Sequence, residues 1–329
     1  MTKAAKIAII GAGIGGLTLG LACQKAGMKV KIYEKASKLH DIGGGILLWP
    51  NGQRYLQWLG LGHLIQSHYI KVNDSQIIGT DGEVVFHQSC EPVSQRLGGT
   101  VFPIDRSFLQ MTFANELENK SLVLAKECID ICHEEHEIKL LFSDGTVDSA
   151  DIVVGADGVR SIVRGFIKEN SYSNYTGYCW WGGIISQHDV PALPTDRVTT
   201  ILGVNKVCIV WPLNDNKFMW YLPIKMAENE LNKAAGWKQI EALCQDWNND
   251  TVKQIIAAPT NSRNFNLPIY HLSPLSRYAH GRTVIIGDAA HAIAPILGQG
   301  ANLAIEDAYT LFICLKTFPT DIEKAGYSP

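Results

Sequence analysis

The chain has 329 residues, 46% of them apolar and 19% charged, with 30 glycines and 13 prolines, a composition that supports a sizeable core and excludes collagen-like, low-complexity and disordered classes. Lysine plus arginine is 29 and aspartate plus glutamate 32, for a net charge of −3. No global field gathers nucleic acid or an anionic membrane, so partners must be sought in local sites, and the length suggests roughly two domains.

Lys3 and Lys6 precede an uncharged stretch from Ile7 to Gln24 that imitates a secretory signal, but the glycines at 11, 13, 15, 16 and 20 interrupt it and nothing else points to export. Ile7 to Ile10 instead reads as a central parallel strand buried on both faces. Ile14, Leu17 and Leu21 then give partial helical spacing up to a stop at Gly27, and Lys29 to Tyr33 restarts as a strand, completing a β-α-β unit. Gly43 to Gly45 opens a loop into Ile46 to Leu48. Asn51 to Leu61 follows as a helix with Leu56 and Leu59 on one side.

Asp81-Gly82 and Asp144-Gly145 mark turns between β-rich segments. Between them a helix is expected at about 105–119, with Asp105 as N-cap and Leu109, Phe113 and Leu117 on one stripe. Cys128 to Ile131 and Ile138 to Leu141 alternate as paired strands. The His133-Glu-Glu-His136 segment between them spaces its histidines by three, not the four that a helical zinc site needs, so it reads as a solvated turn and no metal site is expected.

Asp151 to Gly155 and Thr283 to Gly287 read as further buried parallel strands. Six of the eight tryptophans lie between 180 and 247. That region is expected to form a mostly antiparallel β-domain, with a helix from Trp237 to Trp247 turning Ile240, Leu243 and Cys244 inward. The eight cysteines form no C-x-x-C pair, which fits reduced thiols in the cytoplasm, and no stretch approaches the roughly 20 apolar residues of a membrane span.

Gly11, Gly13 and Gly16 match G-x-G-x-x-G directly after a strand and at the start of a helix. The first glycine permits a tight turn, the second lets a pyrophosphate approach the backbone, and the third allows helix and strand to pack closely, with the helix N-terminus facing the negative charge. Glu34 ends the second strand, where a carboxylate can accept hydrogen bonds from a ribose. By itself this unit does not separate FAD from NAD.

Two further segments do. Gly155-Ala-Asp157-Gly158 with Arg160 and Arg164, and Gly287-Asp288 through His291, Pro295, Gly298, Gly300, Ala301 and Asn302, each follow a strand. With the first motif they resemble the class A flavoprotein monooxygenases, the para-hydroxybenzoate-hydroxylase-like family that includes salicylate, urate and kynurenine hydroxylases and zeaxanthin epoxidase. The resemblance implies an α/β fold: a Rossmann-like FAD-binding domain of the glutathione-reductase type (1–70, 101–175 and 276–329) carrying an inserted, mostly antiparallel substrate-binding β-domain (71–100 and 176–275).

It further implies that FAD is held by Gly11, Gly13, Ile14, Gly15, Gly16, Glu34, Lys35, Gly45, Arg106, Cys128, Asp157, Asp288, Pro295, Gly298, Gly300, Ala301 and Asn302. Family chemistry implies reduction of FAD by NADH or NADPH, reaction with O2 to a C4a-hydroperoxide, and transfer of one oxygen atom to an aromatic or polycyclic small molecule. Arg164 either touches ligand or only caps a helix. His291 is a candidate for acting on substrate, and Trp181, Trp211, Met219 and Trp220 are candidates for lining its pocket beside Trp180.

Two departures stand out. Trp181-Gly182-Gly183 replaces a Trp-Arg-Gly of many relatives, which argues against an anionic benzoate, and the chain stops at Pro329 where the family helix normally continues into further helices. Two alternatives therefore stay open: a flavin-dependent reductase or halogenase, although the Trp-x-Trp-x-Ile-Pro halogenase pattern is absent, and an FAD-binding protein without turnover that serves as a binding or interaction module.

Overall fold

Apolar strands from the beginning, middle and end of the chain align side by side in the computed structural model, which describes residues 5–39, 44–168, 171–230, 237–245, 247–258 and 264–318. They form a six-stranded sheet in the order Ala279–His280, Thr283–Ile285, Ile152–Gly155, Lys6–Ile10, Lys29–Tyr33 and Leu122–Val123. Every pairing is parallel except the first hairpin. A parallel sheet is covered on both faces, so its strands read as continuous apolar runs.

One face of this sheet presents Ile7, Ile9, Ile152 and Val154 to the helices Ile14–Lys25, Arg106–Asn115 and Gly300–Thr317. The opposite face presents Ala8, Ile10 and Val153 to a three-stranded antiparallel sheet, Cys128–His133, Ile138–Phe142 and Val147–Ala150. His133 to His136 lies at a tight turn of that sheet, and among the described residues no cluster of His, Cys, Asp and Glu could hold a metal.

The second large sheet has seven strands in the order Phe265–His271, Asn174–Ser186, Lys217–Lys225, Lys206–Leu213, Arg197–Gly203, Asp74–Gly79 and Val84–Ser89. It is antiparallel except for the pairing of Arg197–Gly203 with Asp74–Gly79. Side chains alternate between its faces. Cys179, Trp181, Ile185, Trp220 and Leu222 pack in one core with Ile240, Cys244, Val252 and Ile255. Ile184, Trp211, Leu213 and Met219 form a second core on the opposite face with Leu47 and Tyr221, towards the antiparallel ribbon Gly45–Leu48 and Phe102–Asp105.

Several helix limits differ from expectation. The 105–119 helix spans Arg106–Asn115, because Ala114, Leu117 and the following residues fold into a turn (Leu117 N to Ala114 O, 3.3 Å). The Asn51 helix begins at Pro50, whose fixed φ suits a first helical turn, and stops at Trp58. The Trp237 helix ends at Leu243, and a second helix, Asp250–Ala257, begins after the N-cap Asn249. Residues 319–329, including the Asp321 to Pro329 segment, lie outside the described residues.

Asp148 stitches the three-stranded sheet to the main one. Its carboxylate accepts from the ammonium groups of Lys6 and Lys31, the Tyr33 hydroxyl and the Ser149 N–H. Burial acts to raise its pKa, but these donors outweigh it and hold the carboxyl well below the usual range. A depressed carboxyl stabilises the fold above its unfolded pKa, roughly 4, and loses that contribution as pH falls through the folded value. Asp148→Asn is therefore expected to lower the thermal midpoint by about 2 °C at neutral pH, corresponding to about 1 kcal/mol for a half-exposed network, with the gap closing in strong acid; equal midpoints at pH 7 would contradict this.

Candidate active site

The site starts where the first strand ends. Gly11 adopts φ +107° and donates to Tyr33 O at 2.8 Å; a side chain there would overlap the carbonyl of Ala156, and one at Gly16 the carbonyl of Gly11. A β-carbon at Gly13, by contrast, meets open space. The helix Ile14–Lys25 begins at Gly13 without a side-chain cap, so its first-turn N–H groups and positive dipole end are left to a ligand. A cavity of about 350 Å³ lies against this turn, bordered also by Arg106, Asp288, Pro295, Gly300 and Ala301.

Glu34 follows the strand Lys29–Tyr33 and is not among the residues that line this cavity. Its two carboxylate oxygens accept from Ala12 N (2.8 Å) and Ala36 N (3.0 Å), which fixes its orientation and leaves lone pairs for hydroxyl donors. Arg106 opens the helix capped by Asp105, whose Oδ1 accepts from Ser107 N (2.8 Å) and Phe108 N (3.3 Å), and its own N–H donates to Gly44 O at 3.1 Å. Burial lowers the pKa of the Arg106 guanidinium, and the charges of Asp288 and Glu34 act against that shift.

Asp288 follows Gly287, which has φ +59° and ψ −140°. Burial pushes the Asp288 carboxyl up, opposed by the charges of His291 and Arg106. The helix Gly300–Thr317 also starts without a side-chain cap. A cavity between two uncapped helix N-termini, with a bare-backbone turn, the Asp288 carboxylate and the half-buried Arg106 guanidinium on its walls, fits a dinucleotide such as FAD.

Of the residues expected at the cofactor, Gly13, Ile14, Gly15, Gly16, Arg106, Asp288, Pro295, Gly300 and Ala301 line this cavity. Others sit behind it. Gly45 accepts the Tyr221 hydroxyl at its carbonyl (2.9 Å), and a side chain there would press on the Trp211 indole. Gly298 takes a left-handed φ of +61° where the Pro295 turn ends. Lys35 is exposed. Cys128 is buried with its thiol directed at Asp130 O (3.5 Å), so only its backbone is left for an adenine contact.

Asp157 Oδ2 accepts from Ile162 N (2.8 Å) and Val163 N (3.3 Å), while its Oδ1 is buried without a partner among the described residues. Asn302 differs from expectation. Its side chain is wholly spent on backbone, accepting from Trp49 N (2.9 Å) and donating to Leu47 O (2.9 Å) and Gly298 O (3.0 Å), so it ties two loops together and leaves ligand contact to its main chain. Arg164 likewise donates only to carbonyls, of Val159, Ala289 and Ser171, and acts as a tie.

The substrate-side expectations divide by strand parity. Trp211 and Met219 face the cofactor domain, whereas Trp181 and Trp220 pack in the opposite core. His291 is bonded through Nε2 to Asp307 (2.6 Å), a second departure from a substrate role. Sequence reasoning missed Tyr221, which the parity of Met219 would have flagged, and the strand Phe265–His271, whose Leu267 to Tyr270 form a wall of the cavity.

Asp288→Ala is expected to weaken FAD binding at least tenfold, since a ligand hydroxyl loses its acceptor, while leaving the thermal midpoint of the apoprotein nearly unchanged, because the carboxylate is exposed in the cavity. Titration of apoprotein with FAD alongside thermal unfolding checks both; wild-type affinity in the variant removes Asp288 from the site.

Residues 131–320 match the family model described as an FAD binding domain, and residues 9–58 match an NAD(P)-binding Rossmann-like domain. Similar curated proteins include the 3-amino-4-hydroxybenzoate 2-monooxygenase of Streptomyces cremeus, 30% identical over 317 residues (95% of this chain, 79% of the relative), and the FAD-dependent urate hydroxylase of Mycolicibacterium vanbaalenii, 28% identical over 325 residues (97% and 82%). Among solved structures, Klebsiella pneumoniae HpxO complexed with FAD and uric acid superimposes with a TM-score of 0.87 at 26% identity, covering 97% of this chain and 82% of that one.

Proposed function

The chain belongs to the FAD-dependent monooxygenases that carry this FAD binding domain and hydroxylate aromatic substrates, and from that premise we propose that its own substrate is an uncharged, planar aromatic or polycyclic molecule. The observation that carries this reading is the face the seven-stranded sheet turns towards the cofactor domain. Its central positions hold Trp180, Ile184, Trp211, Met219, Tyr221 and Phe265 and, among the described residues, no lysine or arginine. Lys217 and Lys225 sit at the two ends of that face, Lys217 paired with Asp215 and Lys225 opposite Tyr178. Gly182, on the same face as Tyr221, stands where many relatives have the arginine of Trp-Arg-Gly and offers no side chain to meet a carboxylate.

Bound FAD, reduced by a nicotinamide nucleotide, supplies the chemistry that activates dioxygen. The protein's residues supply place and polarity. Gly13 to Gly16 and the first turn of Gly300–Thr317 aim two helix N-termini at the cavity, where they would hold a pyrophosphate and favour negative charge on the bound group. Asp288 would accept a ribityl hydroxyl and Glu34 a ribose hydroxyl, with the half-buried Arg106 supplying positive charge near both carboxylates. The aromatic face orients a flat substrate by area and edge-to-face contact and keeps water from the reacting atoms.

NADH or NADPH as reductant and dioxygen as co-substrate belong to the same reading. So does a cytoplasmic location, supported by eight unbridged cysteines; among the described residues no helix is long and apolar enough to cross a membrane.

Oxidation of NADH and NADPH by the FAD-loaded protein, followed with uncharged phenols and fused heteroaromatics and with their carboxylated counterparts, checks the reading. Uncharged compounds are expected to stimulate oxidation with a kcat/KM at least tenfold above that of the matching benzoates. Preference for the carboxylates, or stimulation by neither, contradicts it.

A further inference from the structure

We propose that Asp307 and His291 form a clamp that sets the position of Asp288, so that His291 is a positioning residue for the cofactor and not a base for the substrate. The inference rests on the FAD reading of the cavity. Asp307 lies on the helix Gly300–Thr317, about two turns beyond the N-terminus that borders the cavity. It is buried, and its Oδ2 accepts from both Gly287 N (2.7 Å) and His291 Nε2 (2.6 Å). Those two donors bracket Asp288. One carboxylate therefore registers both ends of the Asp288 turn against the helix whose first residues form the opposite wall.

The turn needs such a hold. Gly287 sits at φ +59° and ψ −140°, a region that residues other than glycine hardly visit, and the turn closes with Ala290 N (2.8 Å) and His291 N (2.9 Å) bonded to Gly287 O. From the other side Arg164 donates to Ala289 O at 3.1 Å. The ionisable groups facing His291 are Asp307 from the helix and Asp288 from its own turn. Burial acts to lower the His291 pKa, but the hydrogen bond and charge of Asp307 outweigh it and the net shift is upward.

A buried carboxylate held by neutral donors alone is costly, so imidazolium is the form that completes the clamp. A histidine whose folded pKa is raised contributes fully below its unfolded value, near 6.5, and loses that contribution as pH rises through the folded value. The clamp therefore weakens on the alkaline side.

The test is the dissociation constant of FAD from apoprotein, read by quenching of flavin fluorescence between about pH 6 and pH 9, for wild type, His291→Gln, His291→Ala and Asp307→Asn. His291→Ala and Asp307→Asn are expected to weaken FAD at least tenfold at pH 6. Wild type should weaken several-fold from pH 6 to pH 9, whereas His291→Gln, which keeps a donor but has no titration, should be flat; Asp288 is present in both, so its own titration cancels. If Asp307→Asn does not fold, the comparison of wild type with His291→Gln decides alone. Wild-type affinity in the His291 variants, or a wild-type pH dependence in His291→Gln, overturns the clamp. His291→Gln with wild-type FAD affinity and lost turnover would make His291 a base after all. A wild-type chain that binds no FAD overturns the cofactor reading beneath it.

Discussion

Everything in the cofactor domain depends on two loops touching backbone to backbone. Gly11 follows one strand and Ala156 the neighbouring one, and the space for a β-carbon at Gly11 is already filled by the Ala156 carbonyl. These residues are far apart in sequence and adjacent only because Ile7 to Ile10 pair in register with Ile152 to Gly155. The contact leaves the loops flat, and the cavity opens over them. A single methyl group at Gly11 would force the strands apart or bend the turn away from the position in which its N–H groups can meet a phosphate.

The same economy of space recurs where the two large sheets meet. Gly44 lies against Met219 and Gly45 against Trp211, so the aromatic face of the seven-stranded sheet rests on bare main chain. Tyr221 bonds Gly45 O and Arg106 N bonds Gly44 O. The aromatic face and Arg106 are therefore fixed to adjacent peptide units, and displacement of one is felt by the other. This is the physical basis for treating the sheet face as part of the reaction site.

The parallel strands and the glycine turns were legible in the sequence because both leave strong marks: uninterrupted apolar runs at Ile7, Ile152 and Thr283, and glycines at fixed offsets after them. The division of the tryptophans was not. Asn174–Ser186 and Lys217–Lys225 are buried on both faces, one under the helices Trp237–Leu243 and Asp250–Ala257 and the other against the cofactor domain, so hydrophobicity along these strands carries no information about direction. Trp181 and Trp220 looked like Trp211 until register placed them. The side-chain partners of Asn302 and His291 were not legible for a related reason: a polar residue in a ligand motif can serve the loop that carries the ligand, and Leu47, Trp49 and Asp307 are set by tertiary contact alone.

The most direct measurement is the fate of labelled dioxygen. With the FAD-loaded protein, NADH or NADPH and an uncharged aromatic substrate under ¹⁸O2, the account predicts one labelled oxygen atom in each molecule of product and the other in water. Product carrying oxygen from water, or all of the dioxygen recovered as hydrogen peroxide with every aromatic compound offered, would contradict it.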